Sequence, residues 1–182
     1  DEGKKIIQGL KKIKFLIDSE QFTFEEKYED IHLNIEKKLF QIIGPAAGFM
    51  HTARSRNDQV VTDFKLWVKA STQNIIKEIS NIMKIIIKKA EKHTDTVMPG
   101  LTHLKNAQPI SFAHYLLAYC EMLKRDKKRF ENNLNLLDES PLGSAALSGT
   151  SYKIDRNYTA KKLGFKKPTD NSIDSVSDRD FA

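Results

Sequence analysis

From Asn57 to Lys92 the chain contains neither glycine nor proline, and no other segment constrains the fold as much. At 1.5 Å per residue it makes a helix on the order of 50 Å long. Within it Ile75, Ile79, Ile82 and Ile86 step by four, three and four residues, the spacing of a helix-bundle seam. Ile76, Met83, Ile85 and Ile87 broaden that seam. A rod so long and so broadly apolar cannot cover itself inside a small monomer. It predicts partner helices.

The rest of the chain carries the same period. Asp1–Ile17 places Ile6, Ile7, Leu10, Ile13 and Ile17 on one helical face. Thr23–Ile43 reads as a helix or helix pair with Ile31, Ile35, Leu39 and Ile42 as its stripe, stopped by Gly44-Pro45. Ser111–Leu137 reads as a second long helix, with Leu116, Leu117, Cys120, Leu123 and Phe130 as core candidates. A loop over 141–155 leads to a short helix, Arg156–Leu163, stopped by Gly164. No run persuades as a β-strand and no internal repeat is present. The expected fold is all-α, a long-helix bundle.

Charge narrows the function classes. The formal net charge is +6 and 30% of residues are charged, yet lysines alternate with glutamates along helix faces. Aromatic residues do not interleave with them as a base-stacking surface requires, so the pattern argues against nucleic acid as a partner. Basic faces of this kind can still attract an anionic substrate. The one cysteine, Cys120, lies in an apolar helical run and reads as a buried free thiol, which suits the cytoplasm. His32, His51, His93, His103 and His114 show no zinc-like pairing, so neither metal nor cofactor is expected. No segment approaches the roughly 18 apolar residues of a membrane span, and no signal peptide is visible. The chain opens on Asp1, already in helical register, the pattern of an internal fragment.

Three strings carry chemistry. His51-Thr-Ala-Arg-Ser-Arg-Asn-Asp-Gln59 precedes the long helix, and Ser55 and Asn57 are good N-cap residues. Unpaired N–H groups and a positive dipole end favour an anion there, and Arg54 and Arg56 add forked donors for carboxylates. The string fits a pocket for a multiply charged carboxylic acid; it fits equally a capped helix with solvated arginines. Pro99-Gly-Leu-Thr-His-Leu-Lys-Asn-Ala-Gln-Pro-Ile-Ser111 holds Thr102 and His103 in a short structured connection between two helices. A histidine held there can serve as general acid or base. Asn171–Phe181 is rich in caps and charges and reads as the start of another helix. The small-residue loop Gly143–Thr150 lacks the Gly-Lys-Ser/Thr ending of a phosphate-binding loop and reads as a packed turn.

Together these strings resemble, in order and through the whole chain, the argininosuccinate lyases of the fumarase/aspartase superfamily. Glu29–Glu36, His51–Gln59, Thr102-His103, Pro141–Thr150, Ile154-Asp-Arg156 and Ser175–Phe181 carry the resemblance. It implies a partial N-terminal helical domain over residues 1–53 and a partial central long-helix bundle domain over 54–182. It also implies a homotetramer with active sites shared between subunits. The implied activity is reversible cleavage of argininosuccinate to arginine and fumarate, by acid/base catalysis with carboxylate stabilisation. His103 matches the family's proton-transferring histidine, and Asn57 and Thr102 its substrate contacts. Ser55 and Arg56 are further substrate-binding candidates, while Asp30, His32 and Arg179 are candidates for orienting the site.

Four positions depart from the family pattern. Ala53 and Ala145 replace glycines, which matters if those positions need positive φ. Leu101 stands for a tyrosine and Lys105 for a glutamine. The family's mobile serine loop, Gly-Ser-Ser-x-Met-Pro-x-Lys-x-Asn-Pro, has no counterpart in this sequence, so these residues alone are expected to be inactive. The competing expectation is a non-catalytic helical scaffold derived from the same family.

Overall fold

A computed structural model describes residues 1–182. Helices α1 (Glu2–Asp18) and α2 (Ile31–Ile43) pack with a 3₁₀ segment, Gly44–His51, into a first layer. Its core is Ile13, Leu39 and Ala47, flanked by Ile6, Leu10, Ile17, Ile35, Ile42 and others. Gly9 lets the two helices approach, since a Cβ there would overlap the Leu39 side chain. The expected helix from Thr23 begins only at Ile31. Asp30 caps it, accepting from Leu33 N at 2.6 Å, and Asn34 ties the preceding turn down through Glu25 N at 2.8 Å. A side chain that bonds its own backbone competes with helix, which is why the stripe alone placed the start too early.

Helix α3 (Arg56–Ala90) is the long rod, and helix α4 (Phe112–Leu136) packs along it. Leu137 at the end of α4 meets Val61 near the start of α3, so the pair is antiparallel. The covered stripe of α3 runs through Thr62, Lys65, Lys69, Thr72, Ile76, Ile79, Met83, Ile86 and Ala90. It steps by three and four, and α4 answers with Ala113, Leu116, Cys120, Leu123, Phe130 and Leu134. The expected seam was therefore rotated: Ile79 and Ile86 belong to it, but Ile75 and Ile82 are 39% and 48% exposed. With Ile85 they form a second apolar strip that α4 does not reach. Leu117 is likewise exposed, on the far side of α4. Two lysines enter the covered stripe because each has a partner. Lys65 pairs with Asp178 at 3.2 Å and lies over the Phe181 ring, and Lys69 pairs with Asp138 at 2.7 Å.

Between the long helices stands an antiparallel hairpin, β1 (Val97–Thr102) and β2 (Lys105–Ser111). This corrects the reading that the chain holds no strand. Its signal is weak because Pro99 lies opposite Pro109, so neither position can donate to the ladder. The turn, His103-Leu104, contains none of the usual Asn-Gly chemistry, although both residues have positive φ, 49° and 60°.

After α4 the chain makes a two-residue strand, β3 (Glu139–Ser140), parallel to β4 (Lys167–Pro168). Helix α5 (Arg156–Lys162) is capped by Asp155 and followed by Gly164 at φ 79°. Helix α6 (Ser172–Ser177), capped by Asn171, is the helix expected in that region; beyond it Phe181 packs on Val61 and Leu137. No helix is long and apolar enough to cross a membrane.

Ala53 and Ala145 both sit in the left-handed region, at φ 58° and 54°. That region costs a non-glycine residue about 1–2 kcal/mol, whereas glycine's extra unfolded-state freedom costs about 0.5–1 kcal/mol. Ala53→Gly and Ala145→Gly are each expected to stabilise the fold by about 0.5–1 kcal/mol, read as a raised urea midpoint. A lowered midpoint would show that the strain is not there.

Candidate functional site

The start of α3 is built by its own sequence. Ser55 caps the helix, accepting from Asn57 N at 3.2 Å, while Asp58 Oδ1 accepts from Ser55 N at 3.0 Å. This is a capping box, and it leaves Asp58 fully buried. Asp58 Oδ2 then accepts from Gly143 N and Ala145 N, both at 2.9 Å. Asn57 Nδ2 donates to Ala146 O at 2.8 Å. The small-residue loop is thus a packed turn, as expected, and its packing partner is the start of α3. The Ser-x-x-Asp spacing of Ser55 and Asp58 was a legible signal of Asp58's part.

Behind Ser55 lies a charged cluster joining α2 to α3. Arg56 Nε pairs with Asp30 at 3.1 Å, and Arg56 Nη1 donates to Glu36 at 3.0 Å and Gln59 at 2.9 Å. His32 Nδ1 meets Gln59 Nε2 at 2.9 Å and faces Asp63 at 3.7 Å. Asp30 and His32 are therefore not free helix-surface groups; both reach the motif. Glu36 also takes His51 Nδ1 at 3.0 Å and Arg54 Nη2 at 3.4 Å. Burial would raise the Glu36 carboxyl, but the bonds from Arg56 and His51 hold it below the usual carboxylate range. Burial pushes Asp63 up and Arg54 down from their ordinary values. Arg54 Nε is buried with no partner. Sequence reasoning missed Glu36, although it lies four residues from His32 and so on the same face of α2.

Thr102 and His103 lie elsewhere, exposed at the hairpin tip, and neither side chain makes a hydrogen bond within the chain. The two ends of α3 are about 50 Å apart. The turn after α3 and one strand, folded straight back, would recover at most about 40 Å. At least about 10 Å therefore separates His103 from Asn57. Arg179 is exposed, with Nη1 donating only to Val176 O at 3.4 Å and Asp178 O at 2.7 Å, and its neighbours Asp178 and Phe181 lie against Lys65 and Val61 in the first turns of α3. No group of three or more His, Cys, Asp or Glu side chains converges as a metal site requires.

A protein-family model described as Lyase matches residues 1–182. The chain belongs to this lyase family. It is 64% identical over 177 residues to the argininosuccinate lyase of Pelagibacter ubique, covering 97% of this chain and 38% of that protein. It is 54% identical over 179 residues to the argininosuccinate lyase of Bartonella bacilliformis, covering 98% and 38%. The chain thus spans 38% of the length of these curated relatives. Among solved structures, EDDS lyase in complex with formate superposes with a TM-score of 0.85 at 32% identity, over 99% of this chain and 35% of that one. A fumarate lyase:delta crystallin from Brucella melitensis bound to cobalt shares the fold alone, with a TM-score of 0.79 at 20% identity, over 99% and 44%. The expected fold class stands. The hairpin is an addition to a mostly helical lyase fold.

Chemically, the start of α3 offers backbone N–H groups, the Ser55 hydroxyl, the Asn57 amide and one edge of Arg56. All are hydrogen-bond donors fixed in advance by the capping box and the ion cluster. Such a surface suits a carboxylate. The hairpin tip offers an imidazole. The two sets of groups are held apart in one chain.

Proposed function

We propose that this chain is part of an argininosuccinate lyase, which cleaves argininosuccinate reversibly to arginine and fumarate. The observation that carries the reading is its 64% identity, over 97% of the chain, to the argininosuccinate lyase of Pelagibacter ubique. In this reading residues 1–53 belong to the N-terminal domain and 54–182 to the bundle domain, with no metal or cofactor. The reaction breaks a C–N bond while a proton leaves the carbon beside a carboxylate. Negative charge spreads onto that carboxylate, so preorganised donors lower the barrier. Ser55, Arg56 and Asn57 supply them, with Thr102 as a further hydroxyl. His103 moves a proton, and Asp30 and His32 orient the cluster, with Arg179 as a further orienting candidate.

Assembly follows from the same reading. His103 and Asn57 of one chain do not meet, so a complete site combines chains, here a homotetramer. Three features support that. The strip of Ile75, Ile82 and Ile85 is uncovered, Trp67 is 66% exposed, and the hairpin stands largely exposed on both faces. An isolated two-stranded hairpin is marginal in water and gains stability by packing. The free buried Cys120 fits a reducing, cytoplasmic setting. The test is fumarate release, followed by ultraviolet absorbance. The full-length protein is expected to turn over argininosuccinate and not adenylosuccinate, and residues 1–182 alone to turn over neither. Turnover by the 182-residue piece at an ordinary enzyme rate would refute the expected inactivity of these residues alone.

A further inference from the structure

We propose that Glu36 is a positioning residue for substrate binding: it fixes the guanidinium of Arg56 so that only its Nη2 edge faces the substrate. The inference rests on the lyase reading above and deepens it. Arg56 is held at Nε by Asp30 (3.1 Å) and at Nη1 by Glu36 (3.0 Å) and Gln59 (2.9 Å). Its Nη2 makes no bond within the chain. Asp30 and Gln59 each serve the local helix starts as well: Asp30 caps α2, and Gln59 also binds His32. Glu36 is different. One of its oxygens collects His51, Arg54 and Arg56, so it alone links all three basic side chains of the motif.

The consequence is electrostatic and geometric. Arg54 and Arg56 lie close enough to disfavour each other's charge, and Glu36 stands between them as the shared counter-charge. Without it the two guanidinium groups repel, and Arg56 loses the contact that fixes its plane. A free Arg56 could still pair with a carboxylate, but in many orientations. A fixed Nη2 meets the substrate in one, which saves the ordering cost at binding. The ligand class this edge fits is a dicarboxylate such as the fumarate half of the substrate.

The experiment compares Glu36→Gln and Glu36→Ala in the full-length assembly, measuring KM for argininosuccinate, kcat, and inhibition by fumarate. Glu36→Ala is expected to raise KM and weaken fumarate inhibition about tenfold, the scale of losing one charged hydrogen bond. kcat should fall by less. Glu36→Gln keeps an acceptor oxygen in place and should lie between Ala and wild type. A merely structural role would lower the melting temperature and the active fraction but move neither KM nor fumarate inhibition. Unchanged KM and inhibition in Glu36→Gln and in any folded Glu36→Ala overturn the inference, whatever the melting temperature does. Wild-type protein that releases no fumarate fails at the earlier step, sinking the lyase reading and this inference together.

Discussion

Asp58→Ala is expected to destabilise the fold by about 3–5 kcal/mol. The carboxylate is fully buried and accepts three backbone N–H groups, from Ser55, Gly143 and Ala145. Truncation would leave three donors without acceptors, one buried and two partly buried, each at about 1–3 kcal/mol. It also removes half of the capping box that starts a 35-residue helix. Asp58→Asn should cost less but not nothing. An amide offers one acceptor oxygen, and its NH₂ would oppose an N–H it now faces. Urea unfolding of the full-length protein reads both. A loss below about 1 kcal/mol for Asp58→Ala would mean that the loop is held by other contacts. Asn57 should feel the change as well, because its amide is tied to Ala146 in the same loop.

The two long helices were legible because nothing in them competes with the helical period. Asn57–Lys92 has no breaker, and the observed ends differ from the expected ones by one or two residues. The seam was less legible. Isoleucines at 75, 76, 79, 82, 85 and 86, with Met83, satisfy two overlapping stripes, and only the placement of α4 chooses between them. The hairpin was hidden for a different reason. Its prolines and short polar residues lack β-propensity, and its turn puts histidine and leucine where glycine or asparagine would announce positive φ. Within the candidate site, Ser55 was readable as a cap from its own position. Glu36 was not, because its importance comes from Arg54, Arg56 and His51, all at least fifteen residues away in sequence. Ala53 and Ala145 show the opposite case: a question raised by sequence, whether they need positive φ, was answered by two angles.

His103→Asn is expected to lower turnover of the full-length enzyme roughly 10²–10⁴-fold, the usual contribution of a positioned acid or base. Its melting temperature should not change. Asparagine is the informative replacement because the backbone at His103 has φ 49°. Asparagine tolerates that region nearly as well as any non-glycine residue, so the turn keeps its shape. Alanine would add strain to a turn that already carries Leu104 at φ 60°, and lost activity could then come from a moved hairpin. The exposed ring makes no bond within the chain, so its removal leaves no orphaned partner there. A KM close to wild type with depressed kcat would place His103 in proton transfer rather than in substrate binding. Full turnover in His103→Asn would move the proton-transfer role to another side chain. A wild-type assembly that folds, binds fumarate and never turns over would favour the scaffold alternative, since the donors at the start of α3 need no imidazole to hold a carboxylate.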